Sequence, residues 1–197
     1  MTIADKTIRC FLNEIATKPG TPAGGSIAAL CAASAASMTE MAIRHTLDKV
    51  KGDPLLENNL KKSLVICSYY RNEFLLDMDR DTKYYCNLID IIKMTETTQE
   101  EKNEKQRKLQ HCYKEAVNIP LEITYKVQQL TEIIETIINK GNENYLSDGV
   151  AAYLIAKSTM QSLIYHIKFN LVFINDSKFV EDITAELELL KSLDMPT

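Results

Sequence analysis

One carboxylate in this chain stands where an apolar side chain is expected. Leu56, Leu60, Leu64, Cys67, Phe74, Met78, Tyr85, Leu88 and Ile92 recur at steps built from threes and fours, the spacing of a helix with one buried face. Asp81 lies seven residues from both Phe74 and Leu88, so the three fall within about 20° of one azimuth. The same wheel puts Asp79 on the opposite, solvated side and Asp77 at the flank. A charge on a buried stripe costs on the order of several kcal/mol unless it is paired or opens into a wet cavity. Asp81 is therefore either half of a structural ion pair or a cleft carboxylate with a tunable pKa, suited to acid/base work.

A second candidate is main chain rather than side chain. The stretch "KPGTPAGGSIAALCAASAASM", residues 18–38, holds three of the six glycines and two of the five prolines. It runs straight into a helix with almost nothing larger than alanine apart from Ile27 and Leu30. Ser26 is a good N-cap for that helix. Unpaired N–H groups at a helix N-terminus can bind a carboxylate or another electron-rich group. The small residues can equally serve close helix packing alone. No lysine follows Gly25 and there is no GxGxxG spacing, so the segment is not one of the familiar phosphate loops.

Further along, "NENYLSDGVAAYLIAK" places Asp148 in the first turn of a helix, where a carboxylate complements the helix dipole. "YHIKFNLVFIND" brings His166 and Asn170 near its end. Asp148 and Asn170 are 22 residues apart, about 33 Å along a straight helix. They cannot serve one small site within a single subunit. Either their roles are separate, or a symmetric dimer carries one end of the helix to the other subunit's pocket.

The elements that must position these groups are helices throughout. Glycine and proline cut the chain at a few points. A first helix is expected from Ile3 to Thr17, stopped by "KPGTP", and a second from Ser26 to about Val50, ended by "KGDP". Asp53 caps a long third helix with Pro54 at its first position, ending near Met94. "TETTQEEKNEKQRK" opens a fourth, which Pro120 is expected to kink before it reaches Gly141. A fifth runs from Ser147 to about Asn175, and a last one follows Asp176 or Ser177 to the chain end. The spacing predicts an all-α bundle of long antiparallel helices, one domain over residues 1–197.

Composition narrows the function. The chain has 197 residues and a formal net charge of −4, without the basic face of a general nucleic-acid binder. No apolar run is expected to approach the length needed to cross a bilayer, and the N-terminus does not read as a signal peptide. The chain is thus expected to be cytoplasmic, with no nucleic-acid or membrane partner. Five dispersed cysteines fit reduced, structural thiols. Three histidines without HxxxH or HExxH spacing predict no metal site.

The order of these motifs resembles the formiminotetrahydrofolate cyclodeaminase and methenyltetrahydrofolate cyclohydrolase family. "TPAGGS" before the alanine helix is similar to that family's "PxPGGGS", and "DTKYY", Asp81 to Tyr85, to its "DxxAF". "KQRKLQHCYKEAVNIPLEI", with Arg107, Ala116 and Pro120, resembles its "ER…A…vPl" segment. "NENYLSDGVAAYLIAK" and "HIKFNL" follow in the family's order. Two positions depart from the pattern: Ala23 replaces the first of three glycines, and His166 replaces an asparagine. The resemblance implies a homodimeric, metal-free helical enzyme with a tetrahydrofolate derivative as substrate. It implies Asp81 as catalytic acid/base, and Gly24, Gly25, Ser26, Asp148, His166 and Asn170 as substrate-binding residues. The alternative function is a non-catalytic folate-binding or helical interaction module.

Overall fold

The computed structural model describes residues 2–17, 20, 22–50 and 52–191. Of the segments expected to stop helices, Lys18, Pro19, Thr21 and Lys51 lie outside the described residues, as does the chain end after residue 191. Six α-helices and one 3-10 turn follow one another: α1 (Ile8–Ile15), α2 (Gly24–Leu47), α3 (Pro54–Lys93), α4 (Gln99–Lys140), the 3-10 turn Glu143–Tyr145, α5 (Leu146–Leu171) and α6 (Ser177–Lys191). The architecture is an all-α bundle of long helices.

Local chemistry explains most boundaries. Asp53 caps α3 by accepting the Leu56 N–H at 3.0 Å, with Pro54 at the first position. Thr98 and Glu101 form a reciprocal capping box at the start of α4. Asp176 opens α6 by accepting the Phe179 N–H at 3.1 Å. Helix α1 is shorter than expected, beginning after Thr7, whose hydroxyl accepts the Cys10 N–H at 3.2 Å. Helix α5 begins one residue early, at Leu146, because the 3-10 turn leads directly into it. Helix α4 is one element from Gln99 to Lys140 with Pro120 inside it.

The alanine helix is the centre of the bundle. Ala28, Ala32, Ala35, Ala36 and Ala42 of α2 are buried in the main core, and α2 packs against α3, α5 and α4. By length and composition α2 is long and apolar enough to cross a membrane, contrary to the expectation from sequence. Here its apolar surface is mostly buried among the other helices instead. Ile3 and Phe11 form a smaller cluster with Ala29 of α2 and Met78 of α3.

Two ion clusters fasten α3 to its neighbours. Glu40, buried on α2, accepts from Arg71 Nε at 2.7 Å. Asp77, 1% exposed, is held by Arg80 at 2.8 Å and by Lys126 of α4 at 3.1 Å. The buried structural pair that the stripe allowed at Asp81 thus belongs to Asp77. The flank position expected for Asp77 is corrected because α3 packs against both α2 and α4, which widens its buried face. Asp79 is not on a solvated side either: it is half-buried and accepts the Ile3 N–H at 2.9 Å.

Burial along α3 ends abruptly. Its buried residues stop at Met78, and those of α4 begin only at Cys112. The last four turns of α3 and the first three of α4 therefore stand beyond the core, and those of α3 wall the cavity described next.

Candidate active site

Asp81 lies at the edge between the core and this outer half. Its carboxylate meets the first turn of α2, where the Ser26 hydroxyl donates to Asp81 Oδ2 at 2.9 Å. The same hydroxyl lies 3.2 Å from the Met78 carbonyl and 3.4 Å from Thr82 Oγ1. Ser26 is not the N-cap expected from sequence. Ala23 holds that position without a side-chain cap, and the Ser26 hydroxyl is committed across the helix interface instead.

Gly25 explains why glycine is needed here. A Cβ built on it would overlap the Asp81 carboxylate, whereas one on Gly24 would meet nothing within 4 Å. Neither residue has a positive φ, so Gly25 serves close approach rather than a special turn. Gly20 combines both needs: its φ is +81°, and a Cβ there would crowd the Tyr85 hydroxyl. Ala23, the departure from the glycine triplet, has φ −136° and ψ −156°. That is ordinary extended backbone, so alanine is unstrained where the resembling family carries glycine.

Asp81 and Ala23 line a cavity of about 390 Å³ with Tyr84, Tyr85, Leu88 and Ile92 of α3, Tyr113 of α4, and His166, Phe169, Asn170 and Phe173 at the end of α5. The structure thus brings Asp81, His166, Asn170 and the first turn of α2 together around one space. It does not bring Asp148 there. Asp148 is half-buried in the first turn of α5, at the other end of that helix. Arg107 lies on an exposed part of α4, 3.7 Å from Glu104.

The electrostatics shift Asp81 toward its protonated form. Burial raises its pKa above the ordinary aspartate value; the Ser26 hydroxyl, the charge of His166 and the Ser26 main chain oppose that rise without cancelling it. Tyr84, one turn further on, is also pushed up by burial, and its hydroxyl is buried without a hydrogen-bond partner among the described residues.

Asn170 has a structural task that the sequence left open. Its amide donates to the Ala116 carbonyl at 3.3 Å and to the His166 carbonyl at 3.0 Å. Proline has no N–H, so Pro120 gives the Ala116 carbonyl no partner within α4, and Asn170 supplies one from α5. Both amide protons are used, leaving the amide oxygen for the cavity.

The aromatic lining was not expected from sequence. Tyr113 and Phe173 stack at 5.3 Å between ring centroids, and Phe169 meets Phe173 edge-on at 5.6 Å. Phe169 near the end of α5 and Phe173 just beyond it are four residues apart, and they line the cavity together with the end of α3. The space suits a flat, partly apolar ligand carrying a reactive polar centre. Among the described residues no three His, Cys, Asp or Glu side chains gather in a metal-binding group.

An all-α bundle with a carboxylate raised in pKa beside a helix N-terminus, at the wall of an aromatic cavity, defines a class of site built on helix ends. Comparison with known proteins names the family. The Formiminotransferase-cyclodeaminase family profile matches residues 7–189, and the chain belongs to that family. A methenyltetrahydrofolate cyclohydrolase of Methylorubrum extorquens is 28% identical over 184 residues, covering 93% of this chain and 88% of that protein. A formimidoyltransferase-cyclodeaminase of Mus musculus is 25% identical over 185 residues, which is 94% of this chain but only 33% of that larger protein. The crystal structure of formiminotetrahydrofolate cyclodeaminase from Thermotoga maritima shares the fold, with a TM-score of 0.85 and 22% identity over 96% of this chain and 90% of that one.

Proposed function

We propose that this protein acts on one-carbon units carried by tetrahydrofolate, with Asp81 as the group that moves protons. The observation carrying this reading is the Asp81 carboxylate itself. It is half-buried, raised in pKa, fixed by Ser26 and seated over Gly25 at the wall of an aromatic cavity. Family membership and the names of its relatives supply the substrate class.

Two reactions fit the same machinery. In cyclodeamination, N10 attacks the carbon of a protonated 5-formimino group, and the tetrahedral adduct holds that carbon between N5 and N10. Asp81 takes the N10 proton and passes it to the amino group, which leaves as ammonia to give 5,10-methenyltetrahydrofolate. In the hydrolysis, Asp81 takes a proton from water as it adds to the methenyl carbon. That proton then goes to N5 as the N5–carbon bond breaks, and loss of the remaining hydroxyl proton leaves 10-formyltetrahydrofolate. Each path needs a carboxyl group that gains and loses a proton, and burial raises the Asp81 pKa in the direction that makes it a better proton donor. The first turn of α2 around Gly24, the Asn170 oxygen and the His166 ring are the polar groups offered to the pterin. Tyr113, Phe169 and Phe173 offer flat surfaces to its rings.

The test is direct. Wild-type protein given 5-formiminotetrahydrofolate should generate the methenyl chromophore, or given methenyltetrahydrofolate should bleach it, faster than buffer. Asp81→Asn should lower the rate about 100-fold or more while retaining folate binding. In wild type the rate limb governed by Asp81 should titrate above the usual aspartate range and vanish in the variant. Because the raised pKa favours the protonated folded state, Asp81 contributes stability below its unfolded pKa and loses it as pH rises through the folded value. At neutral pH Asp81→Asn should therefore melt no lower than wild type. Folate binding without turnover on either substrate would remove catalysis.

A further inference from the structure

Asp81 and His166 stand on different walls of one cavity. Helices α3 and α5 each pack against α2 and α4, so the cavity at their ends lies between the carboxylate of the first and the imidazole of the second. His166 is half-buried, and among the described residues its ring makes no hydrogen bond or ion pair. Its main chain is held in place: the His166 carbonyl accepts from the Asn170 amide at 3.0 Å, and Ile167 beside it is buried. The other ionisable groups around the cavity are Asp81, Tyr84 and Tyr85 from α3 and Tyr113 from α4, while α2 adds only Ala23. Asp81 is the one carboxylate among them, and its charge and that of His166 act on each other. Lys168, two residues further along α5, is paired with Glu188 of α6 at 3.8 Å.

The two reactions open to this site differ in their nucleophile. Cyclodeamination brings its own, since N10 is part of the substrate. Hydrolysis needs a water that loses a proton as it adds to the methenyl carbon, and therefore a proton acceptor. A carboxyl group shifted toward its protonated form is the better donor and the poorer acceptor. Imidazole is the side chain that ordinarily takes up and releases protons nearest neutral pH. A ring with both nitrogens uncommitted, facing the space where the one-carbon unit must lie, meets that need.

We infer that His166 is a second catalytic group, specific to hydrolysis: its unprotonated ring nitrogen takes a proton from the attacking water while Asp81, on the other wall, donates to N5. Water adds its oxygen to the methenyl carbon and gives one proton to His166. The Asp81 carboxyl proton goes to N5 as the N5–carbon bond breaks. The hydroxyl proton left on the one-carbon unit then passes to the Asp81 carboxylate, restoring the acid and leaving 10-formyltetrahydrofolate. His166 releases its proton to solvent, the single proton that hydrolysis of the methenyl cation liberates. The assignment rests on the folate reading and, within it, gives the water proton to His166 in place of Asp81.

The experiment compares both reactions in one set of variants. His166→Asn and His166→Gln keep a polar amide in the cavity but remove the proton acceptor. Each should lower kcat for methenyltetrahydrofolate hydrolysis about 100-fold while changing KM, and the rate of cyclodeamination, less than about threefold. The wild-type hydrolysis rate should rise with pH along a limb that both variants lack. His166→Ala should recover about tenfold or more in hydrolysis when imidazole is added, after subtraction of the rate in buffer with the same imidazole. A merely structural histidine would show neither the lost limb nor the rescue. Equal losses in the two reactions, an unchanged hydrolysis rate, or no rescue by imidazole overturns the inference and leaves the folate reading standing. Wild type that converts only 5-formiminotetrahydrofolate does the same. Wild type that only hydrolyses, with these losses in the variants, supports it. Wild type that converts neither substrate removes both readings.

Discussion

Gly25 and Asp81 operate as one unit. The carboxylate occupies the space a side chain at position 25 would fill, and the neighbouring Ser26 hydroxyl fixes one of its oxygens. Gly25→Ala should therefore force Asp81 out of place and cost at least tenfold in turnover, approaching the loss from Asp81→Asn. Gly24→Ala meets open space and should fold normally, changing folate affinity more than rate. Equal kinetics for the two alanine variants would show that the carboxylate's seat does not matter. Periodicity marks Asp81 as a residue off its pattern. A helical wheel could not tell it from Asp77, because the difference lies in Lys126 on α4, which reaches Asp77, and in Ser26 on α2, which reaches Asp81. Cations and hydroxyls supplied from other helices are invisible to periodicity.

At the level of helices, Pro120 and Asn170 form a matched pair. The carbonyl that proline leaves unpaired in α4 is answered by an amide from α5, which joins the two helices beside the cavity. Asn170→Ala should cost about 1–3 kcal/mol in urea unfolding, the usual penalty for an unsatisfied buried polar group. In a Pro120→Ala background, where the helix supplies its own N–H, that cost should shrink. An unchanged cost would place the role of Asn170 elsewhere. The helices themselves were legible from caps and breakers: Asp53 with Pro54, Gly141 and Asp176 all fall at helix ends. The start of α2 was misjudged because Ser26 is chemically a good cap, yet the better use of its hydroxyl lies across the interface. The aromatic wall was not legible, since Phe169, Phe173 and Tyr113 acquire their role only where α3 overhangs the core.

For the whole molecule, α2 has the apolar length to suit a bilayer, which the reading of the sequence missed, and α3, α4 and α5 cover it.

The end of burial at Met78 has a consequence for how such a protein can change. Gly25, Ser26 and Asp81 are anchored to the closely packed half, whose integrity they share. Leu88, Ile92 and Phe173 stand on the overhanging half and hold up little besides the cavity wall. Mutation there can reshape which ligand fits without unsettling the bundle, so substrate range and fold stability are free to evolve separately.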